Sequence, residues 1–196
     1  MDSQDEAAPA AAAEADARAA SPTGSPVPEV QKQDTEPDPH HVARQIVLRQ
    51  LAMSPRSRVE LMQKLAQRGC PVDVAVTVLD RMTAVGLVDD EAYAQMLVRS
   101  QQAGRGLARG ALARELRTKG IEDHLADEAI ASISDEDERE RARALVDKKL
   151  RAMHGLGIQV QSRRLAGMLA RKGYSSSVTY AVIREAIADA PEHLPD

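Results

Sequence analysis

Apolar and polar positions along the chain follow a helical pattern that occurs three times. Two leucines four residues apart are followed, four residues later, by a glycine, at residues 61–69, 112–120 and 165–173. Leucines at this spacing lie on one face of a helix, and a glycine at this distance suits the left-handed residue that ends a helix. Because this motif of two leucines and a glycine recurs after 51 and then 53 residues, the pattern predicts a repeated helical unit rather than one large domain.

The residue after each glycine, which is Cys70, Ile121 or Tyr174, can pack back onto the second leucine, as a Schellman cap requires. Downstream of each glycine, apolar residues recur with the i, i+4, i+5 spacing of a further helix. Upstream, helical patterns cover residues 42–53, 91–102 and 136–154. Each unit therefore reads as helix–helix–helix.

Local signals mark the ends of these helices. Residues 57–60 have the form of a capping box, and residues 89–91 and 134–137 place a capping side chain and acidic groups at helix starts. Pro71 is expected in a first helical turn, and Gly104, Gly106, Gly155 and Gly157 are expected in loops. The sequence thus predicts an all-α fold of three tandem three-helix repeats forming an elongated curved solenoid, with units at residues 40–88, 89–133 and 134–190.

The first 39 residues depart from this pattern. They contain six prolines, runs of alanine, and nine acidic against two basic residues, which gives a net charge of −7. Burial of so few larger apolar side chains cannot offset the entropy lost on ordering. Residues 1–39 are therefore predicted to be a disordered acidic tail, whereas residues 40–196 carry a net charge of +3.

Composition narrows the classes of protein that remain. Three tyrosines are the only aromatic residues, so the core must be aliphatic, which favours helices over strands. The single cysteine, Cys70, excludes an intramolecular disulfide and a multi-cysteine zinc site, and is interpreted as a small apolar filler. The sequence has no apolar run of about 18 residues and no basic, apolar secretion signal. We therefore expect a cytoplasmic protein without a membrane segment.

The sequence gives little support for catalysis. The acidic runs at 89–91 and 135–138 fall at predicted helix starts, where they serve as caps and as partners of the helix dipole. The five histidines are scattered, without the spacing of a metal site. No catalytic residue, metal or cofactor is predicted. An enzyme with an unrecognised site remains an alternative, and it would require carboxylates or histidines clustered across units.

Basic residues are the strongest candidates for a functional surface. Arg68, Lys119 and Lys172 each precede a capping glycine, where a cation interacts favourably with the helix dipole by about 0.3–1 kcal/mol. Residues 104–106 are interpreted as a basic interhelical loop rather than a phosphate-binding loop. With so few aromatic side chains, any nucleic-acid contact should be mainly to phosphates. The predicted basic face comprises Arg105, Arg109, Arg114, Arg117, Lys119, Arg163, Arg164, Arg171 and Lys172.

Specific stretches of the first two units resemble the RecX family. These are residues 57–69 and the pair Val78-Leu79 in unit one, the run from Gly86 to Ala94 across the boundary between units one and two, and the run from Gly106 to residues 115–121 in unit two. The similarity covers about residues 42–188, is weaker in the third unit, and does not include the acidic tail. The resemblance implies a bacterial, non-enzymatic regulator of the RecA recombinase that acts in DNA repair, homologous recombination and the SOS response.

Such a regulator binds the RecA filament on single-stranded DNA, lodges in its helical groove, and reduces ATP hydrolysis, filament extension and strand exchange. The resemblance implies a monomer with at most weak, non-specific DNA contact, and it carries over no catalytic residue. A helix-turn-helix transcriptional regulator is the alternative reading of three-helix units with basic helices. It predicts sequence-specific binding to duplex DNA, usually by a dimer with defined half-site spacing.

Overall fold

The structure, a computed structural model, describes residues 38–189. Within this range the chain forms nine α-helices and no β-strand. They are α1 (Pro39–Met53), α2 (Arg58–Gln67), α3 (Val72–Ala84), α4 (Asp90–Arg105), α5 (Arg109–Thr118), α6 (Asp123–Ala131), α7 (Asp135–Arg151), α8 (Ile158–Arg171) and α9 (Ser176–Ala188). The helices pack in threes, as units one (α1–α3), two (α4–α6) and three (α7–α9). The predicted all-α fold of three three-helix repeats is confirmed.

The leucine pairs of the repeated motif lie at the centres of three separate cores. All six are at most 1% exposed: Leu61, Leu65, Leu112, Leu116, Leu165 and Leu169. The first helix of each unit adds an alanine and a valine one turn apart, and the third helix adds further aliphatic side chains. The cores are therefore mainly aliphatic, as the composition predicts, and the buried Tyr93 and Tyr174 are the aromatic side chains in those of units two and three. None of the described helices is both long enough and apolar enough to cross a membrane.

The middle helix of every unit ends in the predicted Schellman cap. Gly69, Gly120 and Gly173 have φ values of +74°, +74° and +84°, which only glycine adopts without strain. The N–H of the next residue donates to the carbonyl of the second leucine at 3.1, 3.1 and 3.2 Å, respectively. The six-residue bond of the Schellman motif is thus present three times.

The predicted N-terminal caps are also present. The Ser57 hydroxyl accepts the N–H of Glu60, and the Glu60 carboxylate accepts the N–H of Ser57, which completes the capping box. The Asp89 carboxylate caps α4, and the Ser134 hydroxyl caps α7. These bonds satisfy helix N–H groups that otherwise lack a partner.

Three local predictions differ from the structure. Gly104 and Arg105 lie in the last turn of α4, and not in a loop, because Gly106 ends that helix in a left-handed conformation with φ +60°. Pro71 lies at the N-cap of α3 rather than in its first turn. Helix α1 begins at Pro39, three residues before the helical pattern predicted for residues 42–53, since the Asp38 side chain caps it. The predicted disorder of the rest of the tail lies outside the described residues.

Successive units meet through the ends of their middle helices. The Ser57 hydroxyl at the start of α2 donates to the carbonyl of Lys119 at the end of α5, at 2.6 Å. The equivalent helix ends meet one unit later through a backbone donor: the N–H of Ala108 before α5 donates to the carbonyl of Lys172 after α8, at 2.9 Å. These two places are called junction 1–2 and junction 2–3 below.

One further hydrogen bond reinforces each junction. The N–H of Arg58 donates to a carboxylate oxygen of Asp90 at 2.8 Å, and the N–H of Arg109 donates to one of Glu138 at 2.9 Å. In both cases an acidic side chain in an early turn of the next unit's first helix satisfies the first N–H of a middle helix. Both N-termini are therefore capped from the following unit.

The repeat predicts that Leu65, Leu116 and Leu169 are equivalent core positions. Changing any one of them to alanine should lower the free energy of unfolding by about 2–5 kcal/mol, because each side chain is fully buried and its loss leaves a cavity. Chemical denaturation followed by circular dichroism measures the change. Val72→Ala is the control, since Val72 is 71% exposed and should change stability by less than about 0.5 kcal/mol. Near-wild-type stability of all three leucine variants would contradict the register.

Candidate partner and nucleic-acid interface

A basic groove of about 410 Å³ lies beside α5, where the last turns of α4 and α8 approach it. Its lining consists of Arg105, Leu107, Ala111, Arg114, Glu115, Thr118, Lys119 and Arg171. Four of the nine cations of the predicted basic face are in this set, against one carboxylate. We call it the α5 groove, and it is the part of the predicted face that the structure brings together.

The fold of α5 separates its groove face from its core face. Leu112 and Leu116 are fully buried, whereas Arg114 and Thr118, which lie one turn apart, face the groove. The buried leucines and the groove-lining residues lie on different faces of α5. The leucine spacing that sets the core face of the helix therefore also sets the direction of the Arg114 side chain.

The other two arginines reach the groove through contacts outside α5. Arg105 ends α4, and the left-handed turn at Gly106 leads the chain into the buried pair Leu107 and Ala108. Arg171 ends α8, which junction 2–3 holds against the start of α5. The groove therefore depends on junction 2–3 as well as on α5.

Two of the four groove cations are already engaged. A guanidinium nitrogen of Arg105 lies 3.3 Å from a carboxylate oxygen of Glu115, and the Lys119 ammonium lies 2.7 Å from one of Glu60. By contrast, no carboxylate of residues 38–189 lies within 4 Å of the guanidinium of Arg114 or Arg171. These two arginines are the groove groups most available to an anionic partner.

The Lys119 ammonium belongs to a polar network at junction 1–2. One carboxylate oxygen of Glu60 accepts its hydrogen bond, and the other accepts from the Tyr93 hydroxyl at 3.2 Å and from the N–H of Ser57 at 3.3 Å. Burial alone would raise the pKa of Glu60, but the hydrogen bonds and the Lys119 charge together lower that pKa below its ordinary value of 4.5. Burial, with the nearby Glu60 charge, raises the pKa of Tyr93 to about 12. Lys119 is therefore mainly a junction residue.

Arg109 and Lys172 hold junction 2–3. The Arg109 guanidinium lies 2.5 Å from a carboxylate oxygen of Asp135 and also donates to the Ile133 carbonyl. The Lys172 ammonium donates to the Arg105 carbonyl. Both side chains cross between units, as Lys119 does, and their first role is to join them.

The remaining cations lie outside the groove lining. Arg117 pairs with Asp123 at 3.1 Å. Arg163 and Arg164 are exposed on α8, and Arg164 precedes Arg171 by seven residues, or two turns, so those two share a helix face. The predicted face is thus divided into a groove, two junctions and an α8 surface. Sequence reasoning missed Thr118 and Glu115. The spacing of four residues from Arg114 could have placed Thr118 on the same helix face, whereas no such spacing from Arg114 indicates Glu115.

Comparison with protein families matches every unit of the chain. The model described as "RecX, first three-helix domain" matches residues 43–82, the second-domain model matches residues 89–130, and the third-domain model matches residues 135–183. These spans fall within units one, two and three, respectively.

Several curated relatives are named "Regulatory protein RecX". The one from Streptomyces coelicolor is 50% identical over 162 residues, which cover 81% of this chain and 86% of the relative. The one from Thermobifida fusca is 43% identical over 171 residues, which cover 87% of this chain and 88% of the relative. Among solved structures, a crystal structure of RecX from Lactobacillus salivarius shares the fold with a TM-score of 0.70, at 21% identity, over 76% of this chain and 97% of that one. Another, a crystal structure of regulatory protein RecX, has a TM-score of 0.68 at 27% identity, over 76% of this chain and 72% of that one.

The network at junction 1–2 predicts a pH-dependent contribution of Glu60 to stability. Glu60→Gln keeps the size of the side chain but removes the charge that faces Lys119, so at pH 7 it should lower the free energy of unfolding by about 1–2 kcal/mol. Because the folded-state pKa of Glu60 is depressed, the stability from its ionised form is present above pH 4.5 and is lost as the pH falls through the lower folded-state value.

The difference between wild type and Glu60→Gln should therefore shrink below pH 4.5, as measured by urea unfolding at pH 7, 4.5 and 3.5. Glu128→Gln is the matched control, because Glu128 is an exposed carboxylate of α6. A Glu60→Gln variant as stable as wild type at pH 7 would show that the network contributes nothing net to junction 1–2.

Proposed function

Because the chain belongs to the RecX family, we propose that it binds filaments of the RecA recombinase on single-stranded DNA and inhibits RecA ATP hydrolysis, filament extension and strand exchange. The observation that carries the proposal is the match of a RecX domain model to each of the three units. The relatives are named regulatory proteins, and the action proposed here requires no reaction catalysed by this chain. It would take place in the cytoplasm, in DNA repair, recombination and the SOS response.

The repeat architecture supports a partner larger than a small molecule. Three units with separate cores offer a series of exposed helix faces, which suits contact with a long surface better than with a small ligand. We propose that one monomer contacts several RecA protomers, so that inhibition occurs below one regulator per protomer. DNA contact, where it occurs, is weak and independent of sequence.

The α5 groove is the proposed contact surface. Arg114 and Arg171 lack carboxylate partners among residues 38–189, so they can engage phosphates of the single strand or acidic side chains of RecA without breaking an existing ion pair. The side chains of Lys119, Arg109 and Lys172 would have to leave a junction to do the same. The exposed Arg163 and Arg164 extend the charged surface along α8.

The proposal predicts that the protein suppresses RecA ATP hydrolysis on single-stranded DNA, and that Arg114→Glu with Arg171→Glu weakens this suppression. Both side chains are exposed, so the fold should be retained. Arg49→Glu with Arg99→Glu changes the net charge equally at exposed positions outside the groove and should behave like wild type. The measurement is the ATPase rate against regulator concentration, with circular dichroism as the check on folding.

The salt dependence distinguishes the two kinds of partner group. If the two arginines contact phosphates, the slope of log affinity against log salt should become shallower by about 1.4 in the groove variant. Weaker affinity with an unchanged slope would assign the contact to acidic side chains of RecA. RecA activity unaffected by the wild-type protein, together with protection of a defined duplex site, would instead support a helix-turn-helix regulator and refute the proposal.

A further inference from the structure

Two aliphatic side chains project from the turn between α3 and α4. Val85 is 69% exposed and Leu87 is 50% exposed. The turn that carries them is fixed by backbone hydrogen bonds: the N–H of Gly86 donates to the Thr83 carbonyl and that of Leu87 to the Met82 carbonyl, both at 2.9 Å. Gly86 has φ +71°, a conformation that favours glycine. The exposure is therefore built into an ordered turn.

The corresponding connection in unit two shows that this exposure is not needed to join two units. Between α6 and the N-cap of α7 there are only residues 132 and 133, and Ile133 is 4% exposed. Val88, which holds the same position before the N-cap of α4, is likewise buried at 2%. The longer connection of unit one thus adds exposed apolar groups beyond those that close the core.

The turn forms one wall of a cavity of about 460 Å³ between α1 and α3. Val78 and Met82 of α3 contribute apolar surface, and Arg44, Arg81, His40 and His41 supply basic groups. Among the described residues that line it, the one carboxylate is that of Asp38, which accepts the N–H of His40 at 3.0 Å. Among the described residues, no carboxylate lies within 4 Å of Arg44 or Arg81.

We propose that this cavity, the α1–α3 cavity, binds a short acidic peptide segment of a protein partner, one that carries an aliphatic side chain beside its carboxylates. Guanidinium groups bind carboxylates through paired, charge-assisted hydrogen bonds. Val85 and Leu87 offer apolar surface to the aliphatic side chain, whose burial removes both from water. The volume lies within the range of sites that hold a few groups rather than a whole helix.

The mixture of charges and apolar groups favours a peptide over a nucleic acid. A phosphate backbone would engage Arg44 and Arg81 but leave Val85 and Leu87 in water. An acidic segment with leucine satisfies both kinds of group at once. The inference uses only unit one and does not depend on the α5 groove or on the proposed function.

A labelled peptide tests the proposal with the full-length chain. The probe is a fluorescein-labelled hexapeptide of alternating glutamate and leucine, and binding is followed by fluorescence anisotropy. Arg44→Gln with Arg81→Gln should weaken binding about tenfold or more, as should Val85→Ser with Leu87→Ser, because each change removes one of the two required contacts. All four side chains are exposed, so the core is untouched, and circular dichroism checks this.

Two sets of controls complete the design. Arg49→Gln with Arg99→Gln removes the same charge outside the cavity and should bind the peptide as wild type does. Peptides with glutamine for glutamate, or with serine for leucine, should bind at least about tenfold more weakly.

Equal binding of the glutamine peptide, or undiminished binding by the double arginine variant, would overturn the proposal. The proposal would also be overturned if the wild-type protein failed to bind the acidic peptide but bound oligo(dT) or phosphatidylglycerol vesicles, and the double arginine variant lost that binding. Since the assay contains no RecA, a negative result here leaves the ATPase test of the proposed function unaffected.

Discussion

The structure depends on a hydrogen bond between the ends of two middle helices, made once at each junction. Its acceptor is the carbonyl of Lys119 or Lys172, and its donor belongs to the residue that begins the preceding unit's middle helix. The partial positive charge of a helix N-terminus there meets the partial negative charge of a C-terminus, and a carbonyl without a helical partner is satisfied. This contact decides which side chains of successive units face one another, and therefore where the α5 groove forms.

The glycine that ends each middle helix is required for its left-handed conformation in all three units. In units two and three the junction adds a second requirement, because it leaves no space for a side chain there. A side-chain carbon at Gly120 would lie 2.5 Å from Val59, and one at Gly173 would lie 2.2 Å from the backbone of Ala111, whereas at Gly69 it would meet open space. Asp90 and Glu138 each lie four residues before the buried alanine of a first helix. The residue at the equivalent position of unit one is Pro39. Helix α8, with 14 residues against the 10 of α2 and α5, begins with an additional turn. Neither end of the described array carries a complete junction surface.

The same geometry separates the basic residues that join units from those that stay exposed in the α5 groove. Cations just before the capping glycine are within reach of the preceding unit, so Lys119 and Lys172 join units, whereas Arg68 has no such unit before it in the described chain. Arg114 lies on the face of α5 that neither the core nor a junction uses, and Arg171 is brought to it from the next unit. The proposed partner contacts thus use charges that the repeat leaves without an ion pair among the described residues, and the proposed α1–α3 cavity extends this to unit one.

The sequence by itself determined the features that depend on neighbours within about ten residues: the helices, their caps, the buried leucines and the three-unit repeat. Leucine spacing and glycine position act through helix geometry, which is local. Only the tertiary structure decided which of the nine predicted cations hold the junctions, because the partners of those cations are far along the chain. Lys119 and Glu60 are 59 residues apart, and Lys172 reaches a carbonyl 67 residues away. A charge's availability depends on distances through space that the junctions set, and no local pattern contains them.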